Sequence, residues 1–276
     1  DPENGGAVYS VQRIIAGNEA LDPEKATTIS VGAVYTPSWF SGFSASVDYF
    51  NIDIDGAVFT PDGQVVIDQC FAGNATLCSA ITRDGANMVT QLRVVPQNVN
   101  SEKLAGFDIE TAYRTELSAI QSEWSGALSA RILATHLLKR TVDSFGSTID
   151  YVDFSGDGEG VPSWRGFATL TYDTDALTAS LIGRYVNGGY INPLWTSEDI
   201  NINKVDSRIY FDLSAAYRFQ FEGVQMEFFG VVENLLDKDP SVVPPARGNA
   251  FTSIGTSASL FDTIGRRFRA GLRFNL

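Results

Sequence analysis

The chain is 276 residues long and 44% hydrophobic, with a mean hydropathy of -0.03, figures that taken alone describe a water-soluble protein of one or two ordinary domains. No run approaches the roughly 18 consecutive apolar residues of a membrane helix, so any passage through lipid has to be made by strands closed into a barrel. With 33 acidic against 20 basic residues the net charge is -13, which argues against nucleic acid as a partner, because phosphate contacts need clustered Lys and Arg.

The sequence opens on Asp1-Pro2-Glu3-Asn4-Gly5-Gly6, which has no signal-peptide pattern and reads as the middle of a loop, so the chain is expected to be a piece of a longer one. A first strand is predicted at about 27–36, where Ile29, Val31, Ala33 and Tyr35 fall at every second position. A second is predicted at 43–55, with Phe43, Ala45, Val47 and Tyr49 set against Ser44, Ser46 and Asp48. The long connection from Gly56 to about Ala86 carries Cys70 and Cys78 in a polar stretch with no His or further Cys nearby to complete a metal site. A disulfide clipping this loop is expected, with two free thiols as the alternative; a disulfide implies an oxidising compartment. Asn74-Ala75-Thr76 in the same stretch fits a glycosylation acceptor, which a bacterial surface protein would carry incidentally.

Met88 to Asn98 is expected to be an outward extension leading into a third span at 102–115, in which Phe107, Ile109, Thr111 and Tyr113 oppose Asp108, Glu110 and Arg114. The fourth span, 124–138, has Leu128, Ala130, Ile132 and Ala134 against Ser129 and Arg131. His136, the sole histidine, fits an interfacial position there better than a catalytic one. In the connection from Lys139 to Ser163, the segment Asp153-Phe154-Ser155-Gly156-Asp157-Gly158 resembles the start of a calcium loop, but Trp164 stands where the bidentate acid is needed, so a turn-forming surface loop is expected. Spans five and six are predicted at 164–173 and 177–188, seven and eight at 206–219 and 224–235, and the last at 263–276. In this last span Phe268, Ala270, Leu272, Phe274 and Leu276 alternate with Arg267, Arg269, Gly271, Arg273 and Asn275. On a helix steps of two advance about 200° and would scatter those apolar residues around the circumference, whereas on a strand they share one face.

Connection lengths separate a barrel from a soluble sandwich. Short ones (Thr36–Gly42, Glu116–Ser122, Asp173–Ala176, Gln220–Gly223) alternate in strict order with long ones (Gly56–Ala86, Lys139–Ser163, Asn187–Val205, Asp237–Asp262), as in outer-membrane barrels with short periplasmic turns and long extracellular loops. Tyr35, Trp39, Phe40, Phe43, Tyr113, Trp124, Tyr172, Tyr217, Phe219, Phe221 and Phe274 gather at the short-turn end, where an interfacial girdle belongs. Turning the last strand over would place three arginines against lipid at up to ~2–4 kcal/mol each near the midplane, so its apolar row is expected to face lipid and its arginines the lumen. The fold expected is therefore all-β, an antiparallel transmembrane β-barrel of which this chain supplies nine spans. An odd count puts the N-terminal end outside the cell and implies further strands upstream, because complete single-chain bacterial barrels have even numbers.

Several segments also carry a family resemblance. Gly17-Asn18-Glu19-Ala20-Leu21-Asp22-Pro23-Glu24-Lys25-Ala26 resembles the "GNP-x-L-x-PEK" entry to a mid-barrel strand of TonB-dependent receptors. Val47-Asp48-Tyr49-Phe50-Asn51-Ile52-Asp53-Ile54 is similar to that family's "DYY-x-I-x-I" strand, and Ala105-Gly106-Phe107-Asp108-Ile109-Glu110 to its "GvDlE" strand start. Val232-Glu233-Asn234-Leu235-Leu236-Asp237 resembles its "v-x-N-L-F-D" segment, and Ile264-Gly265-Arg266-Arg267-Phe268 its "GR-x-f" entry to the last strand. Leu276 departs from the terminal Phe or Trp common in the family. The resemblance implies a receptor of about 22 strands in the outer membrane of a Gram-negative bacterium, of which residues 1–276 would be the C-terminal part of the barrel, with the N-terminal plug and the segment that engages TonB lying upstream. It implies uptake of a scarce nutrient (siderophore-iron, cobalamin or a glycan-type ligand), membrane lipid and TonB as partners, and no cofactor.

The competing readings are a passive porin-type channel and a barrel hydrolase. The hydrolase needs a Ser, His and Asn set or a His-Asp couple with paired Asp residues, and no matching motif is present; a transport protein, not an enzyme, is expected. Ligand contacts should come from aromatic and hydrogen-bonding residues of the long connections, for which Tyr190, Asn192 and Trp195 in one and Arg247 and Asn249 in another are the candidates.

Overall fold

The structure is a computed structural model, and residues 1–156, 160–244 and 255–275 are described. They form two compact units, one of Asp1–Thr28, Ile52–Lys103 and Thr141–Ile149, the other of Ile29–Asn51, Leu104–Arg140 and Asp150–Leu276. Nine long strands carry the architecture: β1 (Lys25–Tyr35), β2 (Phe43–Phe59), β3 (Gln97–Glu116), β4 (Ala127–Ser144), β5 (Trp164–Asp173), β6 (Leu177–Val186), β7 (Arg208–Phe221), β8 (Val224–Glu233) and β9 (Arg267–Asn275). Each lies beside its sequence neighbours, from β9 through to β1. All nine predicted spans are present, and the short and long connections alternate as expected.

The two faces follow from period two. Ala130, Leu170, Leu181, Leu213, Val232 and Phe268 pair in one row across six strands, from β4 to β9. One residue away, Ser129, Thr171, Ser180, Ser214, Val231 and Arg269 form a row on the opposite face. On the apolar face Ile132, Leu170, Leu181, Leu213, Phe228 and Leu272 are all exposed, and Phe268 keeps 72% of its surface. An apolar band that broad is unstable against water and suits hydrocarbon. The tightest turn, between β7 and β8, has two central residues, Glu222 (φ 49°) and Gly223 (φ 85°), the backbone that a two-residue hairpin needs to match strand twist. Near the short connections, Trp39 stacks on Phe40, which stacks on Phe43 and on Tyr113 at ring separations of 5.7, 5.3 and 4.8 Å, so four of the eleven aromatics expected at this end stand together.

The first unit has a core of its own. Val66, Ile67, Leu77, Val89, Leu92 and Val94 are buried together, with Tyr9, Val11 and Phe145 packed on them. The helix α1 (Gly63–Phe71) starts at Asp62, whose carboxylate accepts from Gln64 N–H at 2.9 Å, and α2 (Ala75–Cys78) starts at Asn74, whose side chain accepts from Leu77 N–H at 3.3 Å. A disulfide joins Cys70 to Cys78, one on each helix. The asparagine of the apparent glycosylation acceptor is thus a helix cap.

Residues 88–98 differ from expectation. Val89–Val94 does not extend the third span but forms the middle of a separate three-stranded sheet, parallel to Gln12–Ile15 and antiparallel to Ile81–Arg83. Val89, Leu92 and Val94 are drawn into the core of the first unit, and Pro96, lacking an N–H, interrupts the ladder before β3 begins at Gln97. Asp1–Asn4 also does more than a plain loop: the Asp1 carboxylate accepts from Tyr9 Oη at 2.5 Å and from Arg83 Nη1 at 2.7 Å.

Candidate functional site

The polar face of the sheet is a ladder of paired charges. Glu110 Oε1 of β3 accepts from Arg131 Nε of β4 at 2.8 Å, and Asp108 Oδ1 from Thr135 Oγ1 at 2.6 Å. Arg184 of β6 meets Asp212 of β7 through two bonds of 2.6 and 3.2 Å, a fork geometry that fixes orientation as well as charge. The arginines of β9 face this side, as predicted. Arg273 donates to Glu227 at 2.8 Å and Arg269 to Glu233 at 2.5 Å, while Arg267 Nε lies 2.9 Å from Glu233. Asp262, at the end of the last long connection, is buried with its carboxylate 3.7 Å from both Arg184 and Arg267. The pairs within the sheet each join neighbouring strands, and an exposed pair of this kind adds only about 0–1 kcal/mol.

The segments that carried the family resemblance prove to be structural clasps. Asn234 is fully buried at φ 51°; its side chain donates to Lys238 O at 3.0 Å and accepts from Lys238 N–H at 2.8 Å, and its own N–H donates to Asp212 Oδ1 at 2.8 Å. Asp237 Oδ1 accepts from Arg266 N–H at 2.9 Å, so the segments around 232–237 and 264–268 meet. Glu24 accepts from Val58 N–H at 2.6 Å, and Asn98 bridges Asp22 and Gly56. At Gly106 a Cβ would stand 2.5 Å from the backbone oxygen of His136 and 2.8 Å from the Phe50 ring, so only glycine fits there.

Among the long connections, those after β6 and β8 share a core of Val186, Ile191, Val205, Val243 and Phe261, against which Trp195 packs. The Asn192 side chain accepts from Leu194 N–H at 2.9 Å. Asn192 and Trp195 therefore organise the loop, while Tyr190 is 51% exposed beside a recess of about 560 Å³ that Asp153, Lys204 and Arg208 also line. Arg247 and Asn249 lie outside the described residues. Asp153 does not offer its carboxylate to a metal: Oδ1 accepts from Ser163 N–H at 2.6 Å and from Asn187 Nδ2 at 3.2 Å. Among the described residues no group of three His, Cys, Asp or Glu is placed to hold a metal ion. His136 stacks on Trp164 with ring centroids 4.2 Å apart, and its Nδ1 is 3.0 Å from Ser163 O.

One feature escaped the sequence reading. On β5 the polar row runs Arg165, Phe167, Thr169, Thr171, and Phe167 pairs with Leu133 and Arg184, both on the polar face. It helps line a second recess of about 510 Å³ with Asp48, Asp108, Glu110, Thr135 and Arg165. A lone aromatic in an otherwise polar row was the available signal.

The family model described as TonB dependent receptor-like, beta-barrel matches residues 2–235. No curated protein matches the chain by sequence. Solved structures do: the FrpB iron transporter from Neisseria meningitidis (F3-3 variant) is 18% identical with a TM-score of 0.58. A mutant ferric enterobactin receptor from Pseudomonas aeruginosa in complex with enterobactin is 15% identical with a TM-score of 0.61, and the siderophore receptor PirA from Acinetobacter baumannii is 16% identical with a TM-score of 0.58. In each case 94% of this chain is covered but only 32% of the other, so the chain spans about a third of the length of these proteins. At such identities the likeness is one of fold.

Proposed function

We propose, given that this chain belongs to the TonB-dependent receptor β-barrel family, that it forms part of the wall of an outer-membrane transporter driven by TonB to import a scarce nutrient. The family is one of transporters, not enzymes. The observation that carries the reading is the two-faced meander: an exposed apolar face suited to lipid, a polar face of paired charges suited to an aqueous lumen, and every long connection at one end of the strands. In this reading the outer membrane of a Gram-negative cell surrounds the apolar face, a plug domain encoded upstream fills the lumen, and TonB acts through that plug. The ligand is of the siderophore-iron, cobalamin or glycan type, a reading supported for iron by the iron transporter and the ferric enterobactin receptor among proteins of like fold. Tyr190 is the contact residue, on a loop that Asn192 and Trp195 hold in shape; Arg247 and Asn249 are further candidate contacts by residue type alone.

The test is uptake by cells carrying the full-length receptor, with and without functional TonB, using labelled iron chelates, cobalamin and oligosaccharides. Accumulation of one of these only when TonB is active is the expected result. Equal accumulation in both strains would replace the receptor reading with that of a passive channel.

A further inference from the structure

On the premise of the lipid-facing wall proposed above, the apolar face carries a recess of its own. Ala134 of β4, Gly166 and Ala168 of β5 and Gly183 of β6 fall in two adjoining rows, one running Ala134, Gly166, Tyr185 and the next Ile132, Ala168, Gly183, Phe211. Four of those positions bear a methyl group or nothing, so the apolar band dips there into a recess of about 410 Å³. Ile132 and Phe211 are its sides, and the Phe211 ring lies so close to β6 that a Cβ at Gly183 would stand 3.3 Å from it. Leu170 and Leu181, paired with each other, close the end nearer the middle of the sheet. The end nearer the long connections differs in chemistry, for Trp164 and Tyr185 line it. Tyr185 Oη donates to Asn187 at 3.0 Å, but the Trp164 indole N–H has no hydrogen-bond partner among the described residues. An indole at a membrane interface donates to the polar part of a lipid while its ring stays in the apolar layer. From Trp164 to Leu170 is six steps of β5, about 20 Å of strand. At a tilt of about 40° that length descends about 15 Å, the hydrocarbon depth of one leaflet.

We infer that this recess is a discrete site for one acyl chain of an ester-linked outer-leaflet lipid. The ester carbonyl accepts from the Trp164 indole N–H, and the methylenes lie over the small residues between Ile132 and Phe211. Lipid tails are as apolar as the wall, so no hydrophobic force drives a chain into the recess. It is retained because it touches protein on three sides instead of one. A lipid fits better than a second protein surface, because the unpaired donor sits at headgroup level and the recess ends where one leaflet ends.

Full-length receptor is reconstituted into phosphatidylcholine vesicles in which part of the lipid carries a photoreactive diazirine on an acyl chain, and labelled peptides are quantified after illumination. The peptide spanning Trp164 to Leu170 should be labelled about threefold above the apolar-face peptides of β8 and β9, a ratio that a handful of added carbon contacts supplies. Ala168→Phe, which fills the recess, should abolish the enrichment, and Trp164→Phe, which keeps a ring without the N–H, should lower it. Ala215→Phe makes the same change on the same face outside the recess, where Ala215 pairs with Ala179 and Gly230, and should leave the enrichment as it is. Unchanged heat-modifiable migration on gels shows that each variant still folds. Labelling spread evenly over the apolar face overturns the inference while the lipid-facing wall stands, and so does an enrichment that Ala168→Phe leaves in place. An apolar face that is not labelled at all removes both readings.

Discussion

Asn234 shows how a buried residue can hold the root of a loop in shape. It holds a positive φ that β-branched and bulky residues disfavour, and it closes both backbone groups of Lys238 while bonding Asp212 through its own N–H. Asn234→Ala leaves the Lys238 N–H and C=O without their partner and places a methyl group at the same left-handed backbone. We expect a loss of about 2–3 kcal/mol, measured by urea unfolding of the refolded full-length receptor, with Asn234→Asp less damaging because it still accepts from Lys238 N–H. A result equal to wild type for the alanine variant would show that the loop does not depend on this clasp. Its neighbour across the sheet, Asp212, is held at the same time by Arg184, so the loop root and the charge ladder are one connected piece.

At the scale of the strand, orientation is decided by a one-residue parity. On β9, Leu272 pairs with Phe228 on the apolar face, while Arg273 pairs with Glu227 on the polar one. Placing a guanidinium at 272 sets it against hydrocarbon with no partner, at a cost of up to about 2–4 kcal/mol if the site lies near the bilayer midplane. Leu272→Arg should therefore lower the fraction of receptor that reaches the heat-modifiable, membrane-inserted form, whereas Arg273→Leu, which removes an ion pair and a ring contact with Phe229 on the polar face, should lower it far less. Equal yields from both variants would mean that the two faces of β9 are not differently solvated. The first unit obeys a different logic: its short strands and two helices bury Val66, Leu77 and Val94 completely, as an aqueous domain does.

For the whole molecule, the proposed orientation places every long connection outside the cell and every short one in the periplasm. Single cysteines test this directly, because Cys70 and Cys78 are joined to each other and do not react with maleimides. On intact cells producing the full-length receptor, Glu198→Cys, in the exposed connection after β6, should be labelled by a membrane-impermeant maleimide. Asp175→Cys, in the turn between β5 and β6, should be labelled only after the outer membrane is opened. The reverse result would invert the topology and with it the assignment of the ligand-facing rim.

Much of this was legible in the sequence because a strand with one apolar and one polar face must alternate along its whole length, and alternation survives in one dimension. The nine strands, the order of short and long connections and the facing of Arg267, Arg269 and Arg273 follow from such local rules, and the expected Cys70–Cys78 disulfide, for which free thiols were the alternative, is present. The separate core of the first unit was not legible: Val89, Leu92 and Val94 read as a strand, but which sheet they join depends on partners some 80 residues away at Gln12–Ile15. Nor could the sequence say that Asn192 and Trp195 shape their loop while Tyr190 stays exposed, or that Phe167 shares a recess with Asp48 and Asp108. By itself, then, the sequence determined the strands and their two faces, which are local consequences of a period of two. Only the tertiary structure decided which distant residues meet, because pairing between strands far apart in the chain is set by packing and register rather than by any residue's own preference.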